Sequence, residues 1–199
     1  MAVIYRNGSE ACVNLYLTCP NLQHAVWKIK SPLDDLYQCI AWAACRIDDS
    51  LWPTEGYWWF PGLPRVQEAL EAPVSYFIEG FGTLGYRPCT SGLFEFGYQK
   101  VAIFANDAGV THMARQHFWG RWWLSKIGDK EDILHKDLRD VEGAMLPEAY
   151  QYGSVAQILK RSWWFSIINF CVFRSIWHTA KHFYCRLTHP YWDTAVPTR

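Results

Sequence analysis

Charge is scarce in this chain. Only 19% of its 199 residues are Asp, Glu, Lys or Arg, against 50% that are hydrophobic. That excludes disorder over most of the length, because a disordered chain needs little apolar surface and much charge. The seven cysteines stand at 12, 19, 39, 45, 89, 171 and 185, with no Cys-x-x-Cys pair among them. An odd set without that spacing indicates neither a zinc knuckle nor a full disulfide framework, so the cysteines read mostly as small core residues. No Gly-rich phosphate loop occurs, and Ser125 lacks a nucleophile elbow. His112, His117 and His135 match no metal-ligand signature, so the expectation is no metal and no cofactor. The opening Met1-Ala-Val-Ile-Tyr-Arg6 lacks the basic flank and apolar run of a secretory signal, and the expected compartment is the reducing cytoplasm. No internal repeat or low-complexity tract is found.

What the chain has in excess is aromatic surface. Aromatics make up 17% of it, including 12 Trp, which calls for a groove wall, an interface or a membrane contact beyond ordinary packing. The length fits one domain with additions. Net charge is zero but unevenly spread. Residues 1–150 hold 13 Lys and Arg against 18 Asp and Glu, a balance of −5; residues 151–199 hold six against Asp193 alone, a balance of +5. A basic, aromatic last quarter suits an anionic partner or a membrane surface, or simply neutralises the rest of the fold. The negative main domain argues against nucleic acid as a partner.

Three segments follow: an irregular lead-in over 1–35, an α+β domain over 36–161, and a basic aromatic extension over 162–199. Residues 36–46 predict an Ala-rich helix with Asp34 and Asp35 at its positive end. An aromatic Pro/Gly loop fills 51–64, a helical pattern covers 66–80, and 82–92 reads as a short strand and turn. Residues 99–105, 111–118 and 121–127 then alternate as three strands of an antiparallel meander. Residues 129–140 read as a polar connection or short helix, and 154–161 as the start of a terminal helix. Residues 162–177 are apolar around nearly the whole helical surface, but they are short for a membrane span and Arg174 interrupts them. A docked helix or an interfacial anchor, with peripheral membrane contact through residues 163–177, is the expectation.

Cys39 and His112 form the candidate active pair. Cys39 falls near the start of the predicted helix, where unpaired N–H groups and the macrodipole favour a thiolate. His112 opens the middle strand of the meander, where an imidazole is held rigidly enough to act as a base. A helix Cys followed by a strand His is also the papain-like order, with a thiol nucleophile facing a histidine delivered by a sheet. The group that orients the histidine stays open between Gln116, Ser125 and Asp129. Gln38 is placed to donate into an oxyanion hole. Arg115 and Lys126 suit a substrate carboxylate, His135 stands with them, and Trp52, Tyr57 and Trp58 suit the wall of a groove. The bland reading of Cys39 is a buried small hydrophobe.

The segments Gln38-Cys-Ile-Ala-Trp-Ala43, Phe81-Gly-Thr-Leu-Gly-Tyr86, Thr111-His-Met-Ala-Arg-Gln116, Trp123-Leu-Ser-Lys-Ile-Gly128, Asp132-Ile-Leu-His135 and Tyr152-Gly-Ser-Val155 resemble, in this order, a bacterial family of uncharacterised domains. The likeness covers roughly residues 36–161. It implies that Cys39, His112, Arg115, Gln116, Ser125, Lys126 and His135 belong to the family's motif set, with Gln38 in place of an Asn before the Cys. The expected function is a papain-like cysteine hydrolase or acyltransferase acting on an amide or acyl bond. The rival expectation is a peptide- or protein-binding module without chemistry, of the toxin, immunity or defence kind, that meets membranes through its C-terminal segment.

Overall fold

A continuous apolar run, Val101-Ala-Ile-Phe-Ala105, marks the centre of the molecule as a strand covered on both faces. In the computed structural model, which describes residues 15–31, 34–47, 49–67, 71–117, 120–128, 130–143 and 152–164, the segment Tyr98–Asn106 forms a nine-residue strand, β3. It turns at once into β4, Gly109–Gln116. Asn106 makes the turn: its Oδ1 accepts from the N–H groups of Ala108 (2.9 Å) and Gly109 (3.3 Å), the local bond for which Asn is favoured in turns. The meander continues through β5 (Trp123–Lys126) and β6 (Asp132–His135). With β1 (Trp27–Ile29), β2 (Arg87–Cys89) and β7 (Ser154–Ser162) they make one antiparallel seven-stranded sheet in the order β1-β6-β5-β4-β3-β7-β2.

Helix α1 (Cys39–Ala43) and helix α2 (Val74–Thr83) join the sheet in a mixed α+β architecture. The sheet separates two buried cores. On the helical face Cys39, Ile40, Trp42, Trp59, Phe60, Phe77 and Phe81 pack on Val101, Ile103, Met113 and Leu159. On the other face Leu15, Leu22, Trp27 and Ile29 pack on Ala102, Phe104, Ala114, Trp123 and Ile133. Successive strand residues point to opposite faces, so the parity of each position decides which core it enters.

Several expectations change. Residues 1–35 are not all an irregular lead-in: β1 pairs with β6 through Trp27↔His135 and Ile29↔Ile133, and Leu15 and Leu22 are buried. Residues 154–161 form a strand, not a helix. Ala156, Gln157, Leu159 and Lys160 favour helix in isolation, but eight paired positions beside β3 override propensity. Residues 129–140 hold strand β6 and a 3-10 turn, Leu138–Val141, closed by reciprocal bonds of Asp137 and Asp140. The first helix is shorter than 36–46. The second starts at Val74, directly after Pro73, which sits at its N-cap where no N–H is required. The extension beyond residue 164 lies outside the described residues. Among the described residues no helix is long and apolar enough to cross a membrane.

Candidate functional site

The sheet divides the motif residues between its two faces. Cys39 lies in the helical-face core, and the strand residue whose backbone meets its thiol is Met113. His112, one position earlier on β4, turns to the opposite face against Phe104 and Tyr152. The expected Cys39–His112 pair is therefore not assembled, and a single residue of register is the cause. Burial pushes the Cys39 thiol up to about 11, with smaller opposing effects from the backbone at Met113 and from Lys126. It is a protonated core thiol at neutral pH.

On the far face His112, Ser125 and His135 form a buried relay across β4, β5 and β6. Ser125 Oγ stands 3.0 Å from His112 Nε2 and 2.9 Å from His135 Nε2. His135 Nδ1 lies 2.7 Å from the carbonyl oxygen of Asp137. A carbonyl only accepts, so His135 carries its proton on Nδ1 and leaves Nε2 bare. Ser125 then donates to His135 Nε2 and accepts from His112 Nε2–H. His112 Nδ1 is left as a lone pair, buried without a hydrogen-bond partner among the described residues. The ring is stacked on Tyr152 at 4.3 Å between centroids. Burial holds both imidazoles neutral, His112 down at about 3 (with a further push from His135) and His135 down at about 4. Gln116 shares this face, but its Nε2 donates to the Gly92 carbonyl at 2.9 Å instead of orienting His112. Asp129, the third candidate orienter, lies outside the described residues.

Two polar groups sit on the helical face. In the first, the Tyr37 hydroxyl donates to Asp132 Oδ2 at 3.0 Å. Lys126 lies 5.5 Å from the Tyr37 ring and donates to the Lys130 carbonyl. Burial raises the Asp132 carboxyl to about 6 against the pull of Lys126, Ser31, Tyr37 and Arg115. In the second, Arg115 stacks 4.1 Å over the ring of Trp42 and donates to Cys45 Sγ at 2.9 Å. Arg161 donates to the same sulfur at 3.4 Å and to Gln99 Oε1 at 2.8 Å. Arg115 and Lys126 are thus buried in the core and do not face a groove.

The aromatic loop is core as well. Trp52 and Trp59 pack edge-on against Phe77, at 5.7 and 5.3 Å between centroids. Of the loop's aromatic side chains only Tyr57 is exposed, and the half-buried Trp58 lies under Arg46 at 4.1 Å. Gln38 occupies the N-cap of α1, half-buried, without a side-chain capping bond. Cys45, Gln99, Arg161 and Tyr37 were not singled out as site residues by the sequence, and Asp132 and Tyr152 entered only as the first residues of two motif segments. Strand parity brings Gln99, Arg115 and Arg161 to one face once β7 is read as a strand; nothing in the sequence marks Cys45.

Fold and networks together define a mixed α+β domain whose motif residues are its internal polar wiring. The chain belongs to the family described as Domain of unknown function (DUF7689), whose model matches residues 28–160. No curated protein and no solved structure compared with it gives a match.

Proposed function

We propose that this domain is a binding module without chemistry that contacts a membrane surface through one end of its sheet. The observation that carries the reading is an exposed apolar tip. Leu93, Phe96 and Trp164 are 75%, 77% and 75% exposed, and Phe96 meets Trp163 edge-on at 5.0 Å. The tip is fixed in place because Tyr98 pairs with Ser162 and the Trp163 N–H donates to the Gly97 carbonyl at 2.9 Å. Clustered bulky apolar groups on a surface mark an interaction site, and Trp and Phe suit the boundary between headgroups and acyl chains. The sequence that follows, residues 165–177, is apolar at nine of its thirteen positions, and residues 151–199 carry the balance of +5. That continuity favours an anionic lipid surface over a folded protein partner.

The test is co-sedimentation of the full chain with vesicles of phosphatidylcholine, with and without phosphatidylserine. Binding to the anionic vesicles is expected, falling roughly ten-fold or more in the triple variant Leu93→Ser, Phe96→Ser, Trp164→Ser, since each buried apolar side chain contributes about 1.5–3 kcal/mol. Equal sedimentation of wild type and variant removes the tip from the contact.

A papain-like thiol hydrolase remains the second reading, supported by Cys39 at the start of a helix laid on β4 and β5. It requires a base where Met113 stands.

A further inference from the structure

We infer that Arg87 and Lys160 form a seat for the phosphomonoester headgroup of an anionic lipid, beside the apolar tip; this rests on the tip being a membrane contact. Sheet register makes the seat. Arg87 on β2 pairs with Lys160 on β7, and Lys160 pairs with Lys100 on β3. Directly paired residues share a face of the sheet, so three cations stand abreast on one side of it. Like charges in that position repel, and the fold answers them unequally.

Lys100 is fully satisfied. It is buried under the 90–97 loop, where its ammonium donates to the carbonyls of Ser91 (2.8 Å) and Leu93 (2.7 Å) and lies 3.4 Å from Glu95 Oε2. Three protons thus meet three acceptors. The Lys160 ammonium reaches both oxygens of the same Glu95, at 2.8 and 2.9 Å, and stands 4.5 Å over the Tyr98 ring. Its side chain is 20% exposed, and two bonds to one carboxylate leave it a donor for a second anion. Arg87 is exposed, and among the described residues it forms no hydrogen bond or ion pair. Three positive charges therefore face one carboxylate, an excess of +2.

Charge and place together identify the occupant. A guanidinium fork with an ammonium beside it is a donor set suited to phosphate. A phosphomonoester carries about 1.5 to 2 negative charges at neutral pH, which matches the excess. The phosphodiester headgroups of a membrane carry less. Ser162, where β7 ends at the tip, lies two residues beyond Lys160, about 7 Å along the strand. An apolar face that enters a membrane sinks roughly 5–10 Å into the boundary between headgroups and acyl chains. A tip seated at that depth brings Lys160 and Arg87 level with the headgroups. The loop that Lys100 pins also carries Leu93 and Phe96, so seat and tip form one surface. That continuity favours a lipid over a free phosphate.

The experiment is co-sedimentation of the full chain with phosphatidylcholine vesicles carrying phosphatidic acid or phosphatidylserine, adjusted to equal surface potential. Wild type is expected to bind the phosphatidic acid vesicles roughly five-fold or more tightly. In Arg87→Gln, an exposed substitution that spares the core, the ratio of the two affinities is expected to fall to about one. The ratio cancels the general loss of attraction that follows removal of any single charge. Equal binding of wild type to the two lipids, or a ratio unchanged in Arg87→Gln, overturns the seat and leaves the tip in contact with the membrane. Absence of binding to either vesicle removes the tip reading and the seat with it. Glycerol 3-phosphate at millimolar concentration is expected to leave the vesicle-bound fraction unchanged. If it displaces the chain from phosphatidic acid vesicles alone, the site is one for a soluble phosphate and the lipid assignment is overturned.

Discussion

The guanidinium of Arg115 lies 4.1 Å above the ring of Trp42. That contact joins the Thr111–Gln116 strand motif to the Cys39–Ala43 helix motif. Arg115 holds α1 down on the sheet through a stacked cation and a hydrogen bond to Cys45. Arg115→Ala is expected to lower stability by roughly 3 kcal/mol, since it removes a buried, partnered charge and leaves a cavity beside Trp42. Arg115→Lys recovers only part of the loss, because an ammonium does not stack or fork as a guanidinium does. The urea midpoints of the three proteins give the comparison.

Acid weakens this fold through its histidines. His112 and His135 sit at about 3 and about 4, below the ordinary 6.5, with burial as the main cause. Folded, they stay neutral where the unfolded chain takes up protons. Each therefore removes up to about 1.4 kcal/mol per pH unit as the pH falls below the unfolded value, until its folded value is passed. Asp132 works in the opposite sense. Its carboxyl is raised from 3.8 to about 6, so its cost to the fold is relieved as the pH falls through that window. Two histidines outweigh one carboxyl, and the net slope is loss of stability toward acid. In His112→Gln/His135→Gln the fall in urea midpoint between about pH 7 and about pH 5 is expected to disappear.

Gly153 precedes β7 at φ 67°, and a Cβ there would collide with the carbonyl oxygen of Ala105. Backbone on backbone cannot yield as a side chain can. Gly153→Ala is expected to destabilise by about 3 kcal/mol or more, combining left-handed strain with the clash. Gly82→Ala, whose Cβ meets nothing within 4 Å, serves as the mild control. Thermal unfolding of the two side by side is the measurement.

Cys39 behaves as a small core side chain. Cys39→Ala is expected to cost about 1 kcal/mol, the scale of one small deletion in a packed core. It is also expected to leave anionic-vesicle binding unchanged. Loss of that binding with the fold intact, measured by co-sedimentation and circular dichroism, contradicts a purely packing role.

The meander was legible because short β-favouring runs are separated by turn residues. Tyr98–Asn106 and Gly109–Gln116, each buried over most of its length, are joined by an Asn-based turn. Strand β7 was hidden because its residues favour helix and its partner, β3, is some fifty positions away. The pairing of motif residues failed for a sharper reason. Finding Cys39 on a helix and His112 on a strand does not fix which strand parity faces the helix, and Met113 took that place. Long-range register carries the information, and local pattern does not contain it. The relay of His112, Ser125 and His135 was present in the sequence only as three motif residues; the pairing Ala114↔Ser125 and Ser125↔Ile133 brings them together.

Separation of Cys39 from His112 is tested most directly by the ring nitrogens of His112. In a nitrogen–proton correlation spectrum of labelled full-length protein, the ring is expected as the Nε2–H tautomer at neutral pH, unchanged until about its folded value of 3 or until acid unfolds the chain. An imidazolium at neutral pH, or an Nδ1–H tautomer whose signal shifts in Cys39→Ala, places the histidine against the thiol and contradicts the two-faced arrangement.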